Sequence, residues 1–126
     1  MKNSLLLFVS LALITASCKK NQNNPANYST NIVGRWYWVQ QQYDTQIFTP
    51  PQLDTLSYFE FDANGTFIEY VQFSNEELLY GNYHITGDSL IVKRDEDQSS
   101  VRYGIKTLTT KSLVINAGYV YTMKKK

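Results

Sequence analysis

From Ile32 onward the chain is built of short runs of aromatic and β-branched residues, and nearly every run ends in explicit turn chemistry. Runs of about five to ten such residues between turns are the signature of strands. They predict strands near 32–43, 55–62, 66–73, 78–86, 89–94, 100–108, 112–116 and 119–124. The turns between them are Ala63-Asn64-Gly65, Ser74-Asn75-Glu76, Gly87-Asp88, Asp95-Glu96-Asp97-Gln98, Thr110-Lys111 and Ala117-Gly118. The stretch from Asp44 to Asp54 contains Pro50-Pro51 and reads as a longer loop, not a tight hairpin, with room for one helical turn. No other stretch carries a helical period. Regular strands with short connections predict an all-β fold, a small antiparallel up-and-down barrel of about eight strands.

One hairpin can be read to its register. Asp62-Ala63-Asn64-Gly65-Thr66 suits a three-residue loop with Gly65 in the left-handed conformation. That pairs Phe61 with Phe67 and Phe59 with Glu69, gathering Phe59, Phe61, Phe67, Val71 and Phe73 on one face. A two-residue turn would instead set Glu60 opposite Glu69. Like charges directly opposed are destabilising, so the aromatic register is expected and the apparent acid–base pair vanishes. Because side chains alternate with period two, further inward sets follow. They are Leu79, Tyr83 and Ile85; Leu90 and Val92; Val101, Tyr103 and Ile105; Leu113 and Ile115; and Tyr119, Tyr121 and Met123.

The N-terminus has a different character. Lys2 precedes an apolar run, Leu5 to Ala16, and the small residues Ala16 and Ser17 stand directly before Cys18, the only cysteine. The run is shorter than the roughly 20 residues of a membrane span and fits the apolar region of a secretory signal. Small side chains followed by a thiol fit a lipoprotein signal, in which the sulfur receives a diacylglyceryl group; Thr15 stands where such signals usually carry Leu. The expected division is a signal peptide over 1–17, a lipidated Cys18 with a flexible tether over 18–30, and a β-barrel domain over 31–126. Several acyl chains give stable anchoring where one is marginal. With Cys18 so used, no cysteine is left for a disulfide, a zinc site or a thiol nucleophile.

Charge excludes one class of partner. The sequence has 12 basic and 11 acidic residues, and loss of Lys2 leaves the mature side chains balanced. A nucleic-acid footprint needs clustered positive excess. Lys124, Lys125 and Lys126 are expected as a solvated end. Lys19 and Lys20 could rest on anionic headgroups, and the absence of an acidic cluster after Cys18 favours a periplasm-facing outer-membrane location.

Gly34-Arg35-Trp36 is similar to the Gly-x-Trp that opens the first strand of lipocalins. The series continues with Tyr58-Phe59-Glu60-Phe61-Asp62-Ala63-Asn64-Gly65-Thr66-Phe67, Gly81-Asn82-Tyr83-His84-Ile85-Thr86-Gly87-Asp88-Ser89-Leu90, Ile105 to Thr109 and Leu113-Val114-Ile115. Over residues 31–124 the chain resembles the small lipocalin-like domain of many bacterial lipoproteins. The resemblance implies an up-and-down barrel in which Trp36 plugs the base. It departs from full lipocalins in its short strands and in lacking an evident Arg to cover that Trp. Eight strands enclose an interior just wide enough for side chains or one small ligand.

Four residues are candidates for ligand binding. Trp38 shares a face with Trp36 and could stack a ligand. Glu69 stands on an otherwise apolar face, where a carboxylate must be paired or protonated. It could orient a ligand, pair with Arg102 or Arg35, or lie at a solvated mouth. Tyr83 and Tyr103 face inward and could line a pocket or fill the core. His84, the only histidine, turns outward, so no metal site, cofactor or catalytic triad is expected. Asp54-Thr55-Leu56 and Asp88-Ser89-Leu90 match a bacterial O-glycosylation pattern that is equally ordinary turn chemistry. The expected function is a membrane-tethered binding module for a small apolar or aromatic ligand, not an enzyme. The alternative is a protein-interaction lipoprotein, an enzyme inhibitor or envelope-complex subunit, using the 44–54 loop with Ile47 and Phe48.

Overall fold

A computed structural model describes residues 23–49, 57–72 and 77–126. Cys18 and the signal segment, Pro50-Pro51, Thr55, Phe73 and the Ser74-Asn75-Glu76 turn lie outside the described residues. A 3-10 turn (Pro25–Asn27) and one helical turn, α1 (Tyr28–Asn31), precede nine strands. These are β1 (Gly34–Tyr43), β2 (Gln46–Phe48), β3 (Tyr58–Phe61), β4 (Thr66–Val71), β5 (Glu77–Thr86), β6 (Ser89–Arg94), β7 (Ser100–Leu108), β8 (Ser112–Asn116) and β9 (Val120–Lys125). From β3 to β9 each strand pairs antiparallel with the next, and β1 pairs with both β3 and β9. The sheet thus closes into an eight-stranded up-and-down barrel, with β2 as a short addition on β1.

The hairpin at Gly65 has the expected register, with Phe61 opposite Phe67 and Phe59 opposite Glu69. Gly65 takes φ +90°, a conformation that costs a glycine little. Asn64 Oδ1 accepts from the Thr66 amide at 2.9 Å, so side chain and backbone close the same loop.

Two elements depart from the sequence reading. Asp44-Thr45 does make a tight hairpin, since Tyr43 faces Gln46 and Gln41 faces Phe48; the prolines lie further on and do not prevent it. Residues 25–31, mostly within the expected tether, are helical. Asn24 caps the 3-10 turn by accepting from the Ala26 amide at 3.0 Å, and Pro25 supplies a preset φ at its first position. This turn buries Tyr28, and Ile32 behind it is fully enclosed instead of opening β1. Asn23 fixes the turn to the barrel by accepting from the Leu108 amide at 2.9 Å and the Tyr28 hydroxyl at 3.2 Å.

The barrel consequently has unlike ends. The closed end carries the β3–β4, β5–β6 and β7–β8 turns and the N-terminal plug. Beneath the plug lie Trp36, Phe59, Phe61, Phe67, Leu90, Leu108, Leu113, Ile115 and Met123, all essentially inaccessible. Trp36 Nε1 donates to the Ile32 carbonyl at 2.6 Å, which fixes the ring as the base of the core. The opposite end, the mouth, carries the β1–β2, β6–β7 and β8–β9 connections, the end of β4 and the start of β5. Bulges in β1 between Trp38 and Gln40, and in β7 between Ile105 and Thr107, shift parity by one residue. Leu108 enters the core for that reason, outside the expected inward set.

The C-terminal lysines are not uniformly solvated. Lys125 is half-buried, with Nζ donating to the Asn31 and Val33 carbonyls at 2.9 and 2.6 Å while lying 4.6 Å from the Trp36 ring centroid. A lysine from the last strand therefore covers the tryptophan where no arginine was evident.

Candidate functional site

The mouth-end half of the interior is lined by side chains of six strands. Trp38 (β1), Phe59 (β3), Tyr103 (β7) and Tyr121 (β9) form a closed circuit of ring contacts. Trp38 meets Phe59 edge-on with centroids 5.8 Å apart, and Phe59 meets Tyr103 at 6.3 Å. Tyr103 meets Tyr121 at 6.2 Å, and Tyr121 returns to Trp38 at 5.7 Å. Edge-to-face and tilted packing of this kind sets positive ring edges against negative faces. The circuit stands on Phe61 and Phe67, which fill the layer beneath it.

Into this aromatic wall β4 and β6 place one ion pair. Glu69 is only 6% exposed, and its Oε2 accepts from Arg94 Nη2 at 2.7 Å. The partner is neither Arg35 nor Arg102, the two expected. Arg35 pairs with Glu60 on the outer surface, and Arg102 reaches Ser89 Oγ from an exposed position. Arg94 follows Leu90 and Val92 at period two, so strand parity alone points it inward; that signal was present in the sequence. Its neighbour across the ladder is Gly81, whose missing side chain leaves the arginine room.

Burial shapes the chemistry of this end. Tyr103 has its hydroxyl pKa pushed up to about 12, chiefly by burial and then by the Glu69 charge. Tyr121 is raised for the same two reasons in the same order. Burial pulls Arg94 down, but its bond to Glu69 and the carboxylate charge more than offset this and leave it raised. These phenols stay protonated and the guanidinium charged across the physiological range. Trp38 Nε1 and Arg94 Nε are buried without a hydrogen-bond partner among the described residues. Ser57, buried beside β1, accepts from the Gln72 amide through its Oγ and from the Trp38 amide through its carbonyl.

Of the four candidate residues, Trp38, Glu69 and Tyr103 come together here. Tyr83 does not. Its ring packs on Phe61 at the closed end, and its hydroxyl donates to the Asp62 carbonyl at 2.7 Å. His84 faces outward, and among the described residues no three His, Cys, Asp or Glu side chains are grouped to hold a metal.

A profile of the lipocalin-like domain matches residues 32–115, two thirds of the chain, a range that spans β1 to β8 except the last residue of β8. The chain belongs to the lipocalin-like domain family. Three solved structures share the fold of this lipocalin-like barrel. An uncharacterised protein from Bacteroides eggerthii is 19% identical, with TM-score 0.63, covering 75% of this chain and 99% of that one. A lipocalin-like protein from Bacteroides uniformis is 17% identical, with TM-score 0.63, covering 76% and 99%. A second Bacteroides uniformis protein, solved by NMR, is 19% identical, with TM-score 0.57, covering 77% and 90%. No curated protein matches the chain. At these identities the likeness is one of fold.

Proposed function

We propose that this lipocalin-like domain is a binding module, held in the bacterial envelope by a lipidated Cys18 and facing the periplasm. Its ligand is small and largely apolar or aromatic, and enters the mouth against Trp38, Tyr103, Tyr121 and the Glu69–Arg94 pair. One observation carries the reading: two buried donors, Trp38 Nε1 and Arg94 Nε, have no hydrogen-bond partner among the described residues, in an end lined by aromatic rings and one ion pair. A buried donor left unsatisfied costs about 1–3 kcal/mol, and a ligand acceptor would recover that. Because the Glu69–Arg94 pair is neutral and the exposed rim residues Asp44, Glu77, Asp95, Glu96 and Asp97 oppose an anion, the acceptor is a neutral carbonyl or hydroxyl. The site holds and orients; no residue is assigned a role in turnover.

The test is fluorescence titration with a neutral naphthylamine probe and its anionic sulfonate analogue. Saturable binding that favours the neutral probe and is lost in Trp38→Ala supports the site. Equal weak binding of both probes, unaffected by Trp38→Ala, would falsify it.

A second reading is supported by exposed apolar side chains on the β1–β2 hairpin. Ile47 and Phe48 are 59% and 49% exposed beside Tyr43. Exposed apolar clusters mark contact surfaces, so the hairpin would engage a protein partner in the envelope. Crosslinking from Phe48 in membranes would capture one defined partner, and recovery of none would remove this reading.

A further inference from the structure

The two ends of the barrel differ in charge as well as in packing. Among the described residues, the closed end presents four exposed lysines, Lys106, Lys111, Lys124 and Lys126, against two aspartates, Asp62 and Asp88. Among the same described residues, the mouth rim presents five exposed carboxylates, Asp44, Glu77, Asp95, Glu96 and Asp97, against Lys93. The Arg35–Glu60 and Glu69–Arg94 pairs are each neutral, and Arg102 reaches toward Ser89 at the start of β6, on the side of the closed end.

The chain enters at the basic end. Asn23 is fixed there by Leu108 and Tyr28, and its Nδ2 lies 3.5 Å from the Lys106 carbonyl as donor. Asn23 follows Cys18 by only five positions, and two of the residues between are Lys19 and Lys20. Five residues reach at most about 17 Å when fully extended. The ten-residue β1, tilted by about 40°, makes the barrel roughly 25 Å tall. An inverted barrel with its mouth on the bilayer would put Asn23 beyond the reach of its own anchor.

We infer that the closed end is a membrane-apposed surface, seated with its lysines on anionic headgroups, and that the mouth opens away from the bilayer. The inference rests on the lipid anchor of the proposed function and adds an orientation to it. Lysines close to an anionic leaflet are each attracted to it, and the attraction decays within a Debye length of about 8–10 Å. The acidic rim is repelled by the same field, so charge and tether length select one orientation. The plug helix, the Lys125 cover over Trp36 and the filled aromatic core then stand between membrane and site. A ligand therefore reaches the mouth from the aqueous compartment, not by partitioning out of the bilayer.

The test uses the full chain isolated from bacterial membranes. Its intact mass is read first, and a mass without acyl groups overturns both the anchor and the orientation. With Cys18 acylated, Thr110→Cys at the closed end and Ala117→Cys at the mouth each supply the single reactive thiol, since the wild type has no other cysteine. Each variant is labelled with a fluorophore and reconstituted into phosphatidylethanolamine–phosphatidylglycerol vesicles containing a headgroup-quencher lipid. Severalfold stronger quenching at position 110 than at 117, reduced by Lys106→Glu with Lys111→Glu, is the expected result. Equal quenching, or stronger quenching at 117, overturns the orientation and leaves the anchor standing.

Discussion

Arg94 Nη2 and Glu69 Oε2 meet at 2.7 Å across the inner wall of the mouth, although the two residues are 25 apart in sequence. Their side chains are 30% and 8% exposed, whereas those of the outer Arg35–Glu60 pair are 46% and 25% exposed. The same chemical pair thus occurs in two dielectric settings within one small barrel. Inside, Glu69 has given up nearly all its hydration and Arg94 replaces it, while Arg94 itself keeps part of its own.

Breaking the inner pair is therefore expected to cost far more than breaking the outer one. Removing one partner of a buried pair typically costs about 3–5 kcal/mol, while exposed pairs contribute about 0–1 kcal/mol. Because Arg94 is partly solvated, Arg94→Met is expected at the low end of that range, since it strands the more buried Glu69. Arg35→Met should cost under about 1 kcal/mol. Replacing both inner charges, Glu69→Leu with Arg94→Met, should recover most of the loss. Urea unfolding followed by tryptophan fluorescence measures all of these variants. Equal costs at the two pairs would contradict the burial argument.

The covering of Trp36 by Lys125 gives a second expectation. Lys125 Nζ satisfies two carbonyls of the segment entering β1 and lies over the indole face. A cation over an aromatic face contributes about 0.5–2 kcal/mol, and the hydrogen bonds add to it. Lys125→Ala is expected to destabilise by about 1–3 kcal/mol, and the exposed Lys124→Ala by under about 0.5 kcal/mol. Thermal unfolding of the two variants should separate them clearly. Indistinguishable midpoints would mean that the lysine merely rests on the surface.

These two contacts mark how far the sequence could be read. Strand positions, the Gly65 hairpin and the inward faces follow from period two and turn chemistry, which are local properties. Arg94 was equally legible, because Leu90 and Val92 fix its parity, but an arginine on an apolar face invites assignment to the outside. Leu108 was not legible, since a bulge shifts its parity and nothing nearby in sequence marks the bulge. The helical turn at Tyr28 is short, polar and asparagine-rich, and it forms because the open barrel end offers Tyr28 and Ile32 a place to bury. Lys125 looked like solvated charge for a similar reason. Its partners lie 92 and 94 residues away and are backbone atoms, which no side-chain pattern reveals.

Gly81 should be irreplaceable for a steric reason. A Cβ built there would lie 2.2 Å from the Lys93 carbonyl oxygen and 3.2 Å from Arg94 Cα. Both obstacles are backbone, so the β5–β6 ladder itself would have to move, taking Arg94 with it. Overpacking of this kind costs about 1–3 kcal/mol or more, and Gly81→Ala is expected at the upper end. Gly104→Ala is the matched control, because the nearest atom its Cβ would meet is the Asn116 carbonyl oxygen at an ordinary 3.8 Å. It should be neutral or slightly stabilising, since an alanine loses less backbone freedom on folding than a glycine. Equal midpoints for the two variants in chemical denaturation would argue against the tight approach.

Alkaline pH should unfold this barrel through its buried phenols. Tyr103 ionises near 10 when exposed and near 12 in the fold, because burial and Glu69 both oppose a phenolate. Tyr28, Tyr83 and Tyr121 are raised as well, in each case mainly by burial. A group whose folded pKa is raised contributes stability that is fully present below its unfolded pKa and is lost as pH rises through the folded one. The window for Tyr103 therefore runs from pH 10 to about 12. A tenfold change in an ionisation constant is worth about 1.4 kcal/mol, so Tyr103 alone accounts for a loss of about 2–3 kcal/mol across that window. Tyr103→Phe should flatten the pH dependence of the urea midpoint there by this amount. The difference between the variant and wild type isolates Tyr103 from the other tyrosines and from Lys125, whose pKa burial lowers. Absorbance at the tyrosinate band, titrated in parallel, should show one late-ionising phenol missing in the variant. If the midpoints of variant and wild type fall in parallel, Tyr103 is not held out of water.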